Sequence, residues 1–423
     1  MQLSYDYAAG KKKSTAVLYL DVKAAYASIS RDLILPPFEG QASEGAYVRK
    51  LAEVMFTVPD AQDIYHDTTQ LACWYESGGS EHLIRYVQDV YSHPWFSFEG
   101  LKGAIVAKIG ALAGTLFADL LFIVAASKFF RSNLSVLHSE GLEVKLNPDL
   151  ASQLFGDIPG LDSDTRRIIS EVSFVDDAAV AIISSAIHLL KDLTTAISSI
   201  DDIFLAHGPS LNFTKGKSEA VLEIRGAGSG AVTMGLAKDL DVKLPSKNCL
   251  GERKTLLCTD KYKHLGSERP KGGALMPEVI CRTGSIMSAY HELGKTIICN
   301  DRIPLAARAN IVTMYLMSKG LYNTYTWKSL GIAEARKFHG CIMRIYRELL
   351  CLDAPHGEHC TDDQVITKLG AFAPLTMVAY MRIKLLVRVT KHDNTVLIVL
   401  ISNVAAYTHL NTWVTALVDS LQK

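Results

Sequence analysis

This sequence has no CxxC pair, no excess of either charge, no internal repeat and no signal-peptide-like start. Each absence removes a class. Its eight cysteines, at 73, 249, 258, 281, 299, 341, 351 and 360, are scattered, which suits free thiols in a reducing compartment better than a disulfide frame. The tightest cluster, Cys351, His356, His359 and Cys360, has the ligand types for zinc but the spacing of no common finger, so a structural loop is expected there. Lys plus Arg equals Asp plus Glu at 44 each, so no whole-chain field draws the protein toward nucleic acid or a membrane. A polyanion would have to be met by local patches. Two apolar stretches, Gly110–Ala126 and Thr395–Tyr407, fall short of the ~20 residues a membrane span needs, and the first carries Asp119. Both are expected as buried helices, with no membrane contact. The polar, lysine-bearing N-terminus points to an intracellular protein.

What is there suits a folded chain of more than one lobe: 423 residues, 48% hydrophobic and 21% charged. Local basic patches occur at Lys11-Lys12-Lys13, from Lys243 to Lys254, and at Lys261, Lys263, His264, Arg269 and Lys271. For any one of them alone, a solvated loop is the default reading.

Ala16–Val22 (AVLYLDV) is a β-prone run ending in an acid, followed by helical apolar spacing at Ala25, Ile29 and Leu33. Pro36-Pro37 breaks the chain, and helices are expected around Ala46–Phe56, Ala61–Trp74 and His82–Tyr91. A strand-like patch at Trp95–Phe98 leads to the turn Gly110-Ala-Leu-Ala-Gly114, whose glycines suggest close backbone approach, and then an apolar helix to Phe130. The polar stretch 131–170, with Pro148 and Pro159, reads as an insertion rather than core. Leu189, Leu193, Ile197, Ile200 and Phe204 mark a core-facing helix stripe ended at Gly208-Pro209. Short strands follow near Ala220–Arg225 and Thr259–Gly266; helices are expected over Met276–Ile298, Ala306–Lys319, Ala333–Leu350, Leu375–Thr390 and Val396–Leu421. Ser267–Ala274, polar and rich in glycine and proline, reads as a linker.

Glu171–Val175 and Ala178–Ile183 are β-prone runs separated only by Asp176-Asp177, the layout of a tight hairpin whose turn carries two acids. Acid pairs also arise by chance here, at Asp201-Asp202 and Asp362-Asp363. What distinguishes Asp176-Asp177 is the apolar flank on both sides, since an acid pair between buried strands costs stability unless it is paired or holds a cation. Phosphoryl transfer to a sugar hydroxyl uses two divalent ions about 3.5–4 Å apart, and magnesium needs only one or two carboxylates for each. Asp21, at another apolar strand end, could complete such a set.

These residues carry a resemblance to the reverse transcriptases of non-LTR retrotransposons. Leu20-Asp21-Val22-Lys23-Ala24-Ala25-Tyr26 resembles the family's first catalytic motif, and Gly110–Phe122 its template- and nucleotide-contacting turn and helix. Phe174-Val175-Asp176-Asp177 is similar to the aromatic-x-Asp-Asp hairpin. Leu211-Asn212-Phe213-Thr214-Lys215-Gly216-Lys217-Ser218-Glu219 resembles the motif that follows, and Tyr262-Lys263-His264-Leu265-Gly266 the primer-grip hairpin. The five occur in the family's order across residues 16–266.

The resemblance implies an α+β fold: a right-hand polymerase palm with a mixed, mainly antiparallel sheet packed by helices over 1–266, then a helical thumb and C-terminal extension over 267–423. It implies RNA-directed DNA synthesis, with Asp21, Asp176 and Asp177 holding two Mg2+ (or Mn2+) ions. Lys215 or Lys217 would protonate pyrophosphate; Val22, Tyr26 and Gly114 would contact the nucleotide, Tyr26 excluding a ribose 2′-hydroxyl. Tyr262, Lys263, Leu265 and Gly266 would contact primer and template. The partners would be an RNA template, a DNA primer and dNTPs, in the nucleus. About 15 residues precede the first catalytic strand, where the family has its fingers, so an upstream segment or partner chain would supply them. The alternative expectation is an inactive, truncated remnant that only binds nucleic acid. A phosphatase with the DxDx signature fits less well, because Lys23 stands at the second acid's place.

Overall fold

The computed structural model describes residues 1–29, 62, 80–92, 95–97, 99–100, 103–106, 110, 118–156, 167–169, 171–174, 177–238, 242–247, 251–350, 359–391 and 394–422. The helices expected at 46–56 and 61–74, Gly114, Asp176, Cys351 and His356 lie outside this set, apart from residue 62.

The chain is α+β. It opens with α1 (Gln2–Gly10), β1 (Ser14–Leu20), β2 (Val22–Lys23), α2 (Ala25–Ser28), α3 (Glu81–Ser92), β3 (Trp95–Phe96) and β4 (Ile105–Val106). Next come α4 (Ala118–Ser139), β5 (Val144–Leu146), α5 (Asp149–Phe155), β6 (Arg167–Ile169), β7 (Glu171–Phe174), β8 (Asp177–Ser184) and α6 (Leu189–Ala206). Strands β9 (Ser210–Leu211) and β10 (Glu219–Glu223), helix α7 (Ser229–Lys238), and strands β11 (Val242–Lys247), β12 (Arg253–Thr259), β13 (Lys261–His264) and β14 (Ser267–Pro270) complete the mixed region. The rest is helical: α8 (Met276–Leu293), α9 (Leu305–Ile311), α10 (Ile332–Leu349), α11 (Asp362–Leu369), α12 (Pro374–Lys391), α13 (Thr395–Ala405) and α14 (Trp413–Gln422). Helices α8 and α9 run on into π-helical stretches at Gly294–Ile298 and Val312–Met317.

Six strands form one sheet in the order β11-β12-β10-β1-β8-β7, antiparallel except for the parallel β10–β12 pair. All seven residues of β1 are buried, which is why its sequence is a continuous apolar run rather than an alternation. On one face Ala16, Leu18 and Leu20 pack with Ala178, Val180 and Ile182 against α4 and α6. On the other, Val17 and Tyr19 pack with Ala179, Val221 and Tyr5. The α6 stripe falls as its 3.6-residue period requires, with Leu189, Leu193, Ile197, Ile200 and Phe204 all buried. Truncating one of these leucines to alanine would cost about 2–5 kcal/mol.

Leu275, Val279, Ile286 and Trp327 join Phe338, Ile342 and Val378 in a second core among the C-terminal helices. Local signals set the ends of these helices. Thr361 and Gln364 form a reciprocal capping box at the start of α11, Gly370 (φ 60°) ends it, and Asn394 caps α13 by accepting from the Leu397 N–H.

Three stretches differ from the sequence reading. Helix α4 continues to Ser139, and within 131–170 the residues Val144, Leu146 and Ala151 are buried in a third core with Ile398, Ile401 and Trp413. Their hydrophobic partners are about 250 positions away, beyond any local pattern. Ser267–Pro270 is not a linker but the second strand of a hairpin; Ser267 is buried and donates to Glu278. The last expected helix is two, α13 and α14, and α1 closes against both, with Asp6 Oδ2 accepting from the Trp413 N–H at 2.8 Å. Helix α4 is long and apolar enough to cross a membrane by composition, yet half of its most apolar stretch is buried, with Leu121, Phe122 and Phe129 in the main core.

Candidate functional site

Asp21 directly follows the central strand β1. The β1–β8 register pairs Leu20 with Ala178, so the next positions, Asp21 and Asp177, adjoin. Adjoining antiparallel residues have Cα atoms roughly 4.5–5.5 Å apart. Since Leu20 and Ala178 face the main core, alternation turns Asp21 and Asp177 to the other face, with Tyr19. The β7–β8 hairpin closes at the pair Phe174 and Asp177, so Asp177 opens β8 rather than sitting in the turn. Two residues connect the strands, Val175 and Asp176, both outside the described set.

The β1–β10 register pairs Tyr19 with Glu219; carried two positions further, it sets Lys217 beside Asp21 on the side opposite Asp177. Lys217 Nζ donates to Asp21 Oδ1 at 3.1 Å, and Asn212 Nδ2 donates to Oδ2, also at 3.1 Å. The Asp21 backbone is equally fixed. Its N–H donates to Ser218 Oγ at 3.0 Å, and its carbonyl accepts from the Asn212 N–H at 2.9 Å and from Ser218 Oγ at 3.2 Å. The intervening turn passes Gly216 at φ +81°, whose N–H donates to the buried Glu219 carboxylate at 2.6 Å. Of the two candidate lysines, Lys217 reaches the acid, while Lys215 is exposed on the turn.

Two further elements converge here. Tyr262 of β13 stacks on Tyr19, and burial together with the charges of Asp177 and Asp21 pushes its hydroxyl up to about 12. Both carboxylates thus lie near enough to Tyr262 to act on its hydroxyl, as does Glu219. Next to it, His264 is held down to about 4 by burial and Arg269, so this member of the basic patch is neutral, whereas Lys261 and Lys263 point outward. The hairpin tip is Leu265-Gly266, with φ of 48° and 71°. Positive φ at both positions suits a two-residue hairpin turn, but leucine there is strained. Tyr322 Oη donates to the Leu265 carbonyl at 2.8 Å, and Arg282 donates to that of Gly266, holding the tip.

Val22 is buried and pairs with Leu211. Tyr26 on α2 donates to Asp119 Oδ1 at 2.8 Å, with its ring tilted against Phe122. Gly110 makes the close approach that its sequence suggests: at φ +83° its N–H donates to the Ile29 carbonyl, and a Cβ would lie 2.6 Å from the Ala27 oxygen.

Among the described residues no group of three or more His, Cys, Asp or Glu side chains gathers as a metal cage. Asp21 and Asp177 nevertheless offer the hard oxygen donors that magnesium takes, at adjoining positions on one face of the sheet. Sequence reasoning missed Asn212, Ser218 and Glu219 as the bracket around Asp21, although all three lie within the quoted motif. Compared with known proteins, the chain matches no family model and no curated protein.

Proposed function

We propose that this chain is the polymerase core of a reverse transcriptase of the non-LTR retrotransposon type, with a palm over 1–266 and a thumb and C-terminal extension over 267–423. The observation that carries the reading is the adjacency of Asp21 and Asp177, far apart in sequence, at the end of a buried strand pair, with Lys217 ion-paired alongside. Asp21, Asp177 and, by resemblance, Asp176 would hold two magnesium ions, or manganese in their place, which when bound supply charge neutralisation for hydroxyl attack and pyrophosphate departure.

Each remaining residue then has a task. Lys217 balances Asp21 and, on its flexible stem, would serve as the general acid for the departing pyrophosphate. Tyr26, the last residue of the first motif, is fixed by Asp119, and its ring would exclude a ribose 2′-hydroxyl. Val22 and Gly114 would border the nucleotide. Tyr262, Lys263, Leu265 and Gly266 would meet primer and template. Beyond the hairpin tip a cleft of about 510 Å³ is bounded by Gly266, Arg282, Ser285, Ser288, Lys319 and Tyr322; Arg282 is buried and paired with Glu278, so the cleft's hydroxyls and the Lys319 ammonium would take phosphate contacts without base preference.

The test is primer extension by the purified chain on an RNA template with an annealed DNA primer, dNTPs and magnesium. Template-directed extension that disappears in Asp177→Asn supports the reading. Binding of the primer–template without extension, in magnesium or manganese, contradicts it and favours a remnant that only binds nucleic acid.

A further inference from the structure

Lys254 belongs by sequence to a basic stretch that starts at Lys243, yet it turns inward. Its Nζ lies 2.9 Å from both carboxylate oxygens of Asp201, a residue of α6 with no exposed surface. Glu252 stands on the rim, 3.9 Å away. A buried ion pair seldom stabilises a fold more than an apolar pair of the same volume, so fold stability alone does not account for it. The same Nζ lies 5.5 Å from the centroid of the Phe213 ring, in cation–π range. Phe213 is half-buried against the main core and directly follows Asn212, which holds Asp21 through both its backbone and its side chain.

We propose that Lys254, fixed by Asp201, is a positioning residue for Asp21. Gripped from behind by the carboxylate, the ammonium seats Phe213. Phe213 seats the turn from Asn212 to Ser218, and that turn sets the direction of the Asp21 carboxylate and the reach of Lys217. The catalytic consequence rests on the polymerase reading; the positioning itself does not.

The test uses the full chain with Asp201→Asn and Lys254→Met combined, which removes both charges at nearly constant volume, and Lys254→Arg, whose guanidinium can keep both contacts. Amide hydrogen exchange through residues 211–219 is expected to quicken about tenfold or more in the double variant, with exchange in α10 as in the unaltered chain. The kcat for primer extension is expected to fall at least about tenfold while KM for dNTP stays nearly constant, because misdirecting one carboxylate costs rate rather than binding. Lys254→Arg is expected to restore both readouts. Exchange at 211–219 unchanged in the double variant, or quickened evenly over the whole chain, overturns the proposal. If the unaltered chain extends no primer, the polymerase reading fails and the exchange data alone decide the positioning.

Discussion

Tyr262 stacks nearly face to face on Tyr19, with ring centroids 4.3 Å apart and planes 12° from parallel. The contact ties the β13–β14 hairpin to the acid-bearing end of β1 across the boundary between the sheet and the C-terminal helices. It also leaves a phenol near three carboxylates, Asp177, Asp21 and Glu219, where ionisation would add a further negative charge.

The pH consequence has a definite sign. Tyrosine in an unfolded chain titrates near 10, whereas Tyr262 in the fold is pushed up to about 12. Its contribution to stability is therefore complete below about pH 10 and is lost as pH rises through about 12. Tyr262→Phe is expected to flatten the fall of the urea midpoint across that window relative to the unaltered chain. An unchanged slope would mean that neither burial nor the neighbouring carboxylates hold the Tyr262 hydroxyl up.

The ion pair with Asp21 singles out Lys217 over Lys215. Lys217→Met is expected to lower kcat about 100-fold, the ordinary scale for losing a general acid, with primer–template affinity little changed. Lys215→Met is expected to stay near the unaltered rate. Steady-state extension kinetics check both, and a larger loss with Lys215→Met would reassign the proton donor.

At the hairpin tip, Leu265→Asn would convert the strained turn into Asn-Gly, the pair that such turns prefer. Relief of strain is expected to stabilise the chain by about 0.5–1 kcal/mol, read as a raised unfolding midpoint. Primer–template affinity is expected to fall at the same time, because the exposed apolar tip is lost. A lowered midpoint would show that leucine is not strained there.

The legible parts of this protein were those in which one local pattern decides the outcome. The stripe from Leu189 to Phe204 has a helical period, and the Asp176-Asp177 hairpin has apolar runs on both sides, so both follow from neighbours in sequence. The adjacency of Asp21 and Asp177 depends instead on the register between β1 and β8; the sequence suggests it through the strand-end position of Asp21 and a family resemblance but does not set it. The choice between Lys215 and Lys217 was illegible because the positive φ of Gly216 and the register of β10 decide which amine reaches the acid. Asp201 looked like a chance acid on a helix. Its partner is a lysine on β12, a strand that meets α6 only in the fold. The stretch 131–170 reads as an insertion rather than core for the same reason: Val144, Leu146 and Ala151 join a core with residues of α13, at the far end of the chain.

The central claim is that Asp21 and Asp177 act together on divalent cations, and manganese binding followed by electron paramagnetic resonance tests it most directly. Asp363→Asn serves as the control, since Asp363 is an exposed member of an acid pair far from β1 in sequence. The unaltered chain and the control are expected to bind manganese alike, with about tenfold or greater weakening in Asp21→Asn and again in Asp177→Asn. Equal binding by all four proteins would contradict the account.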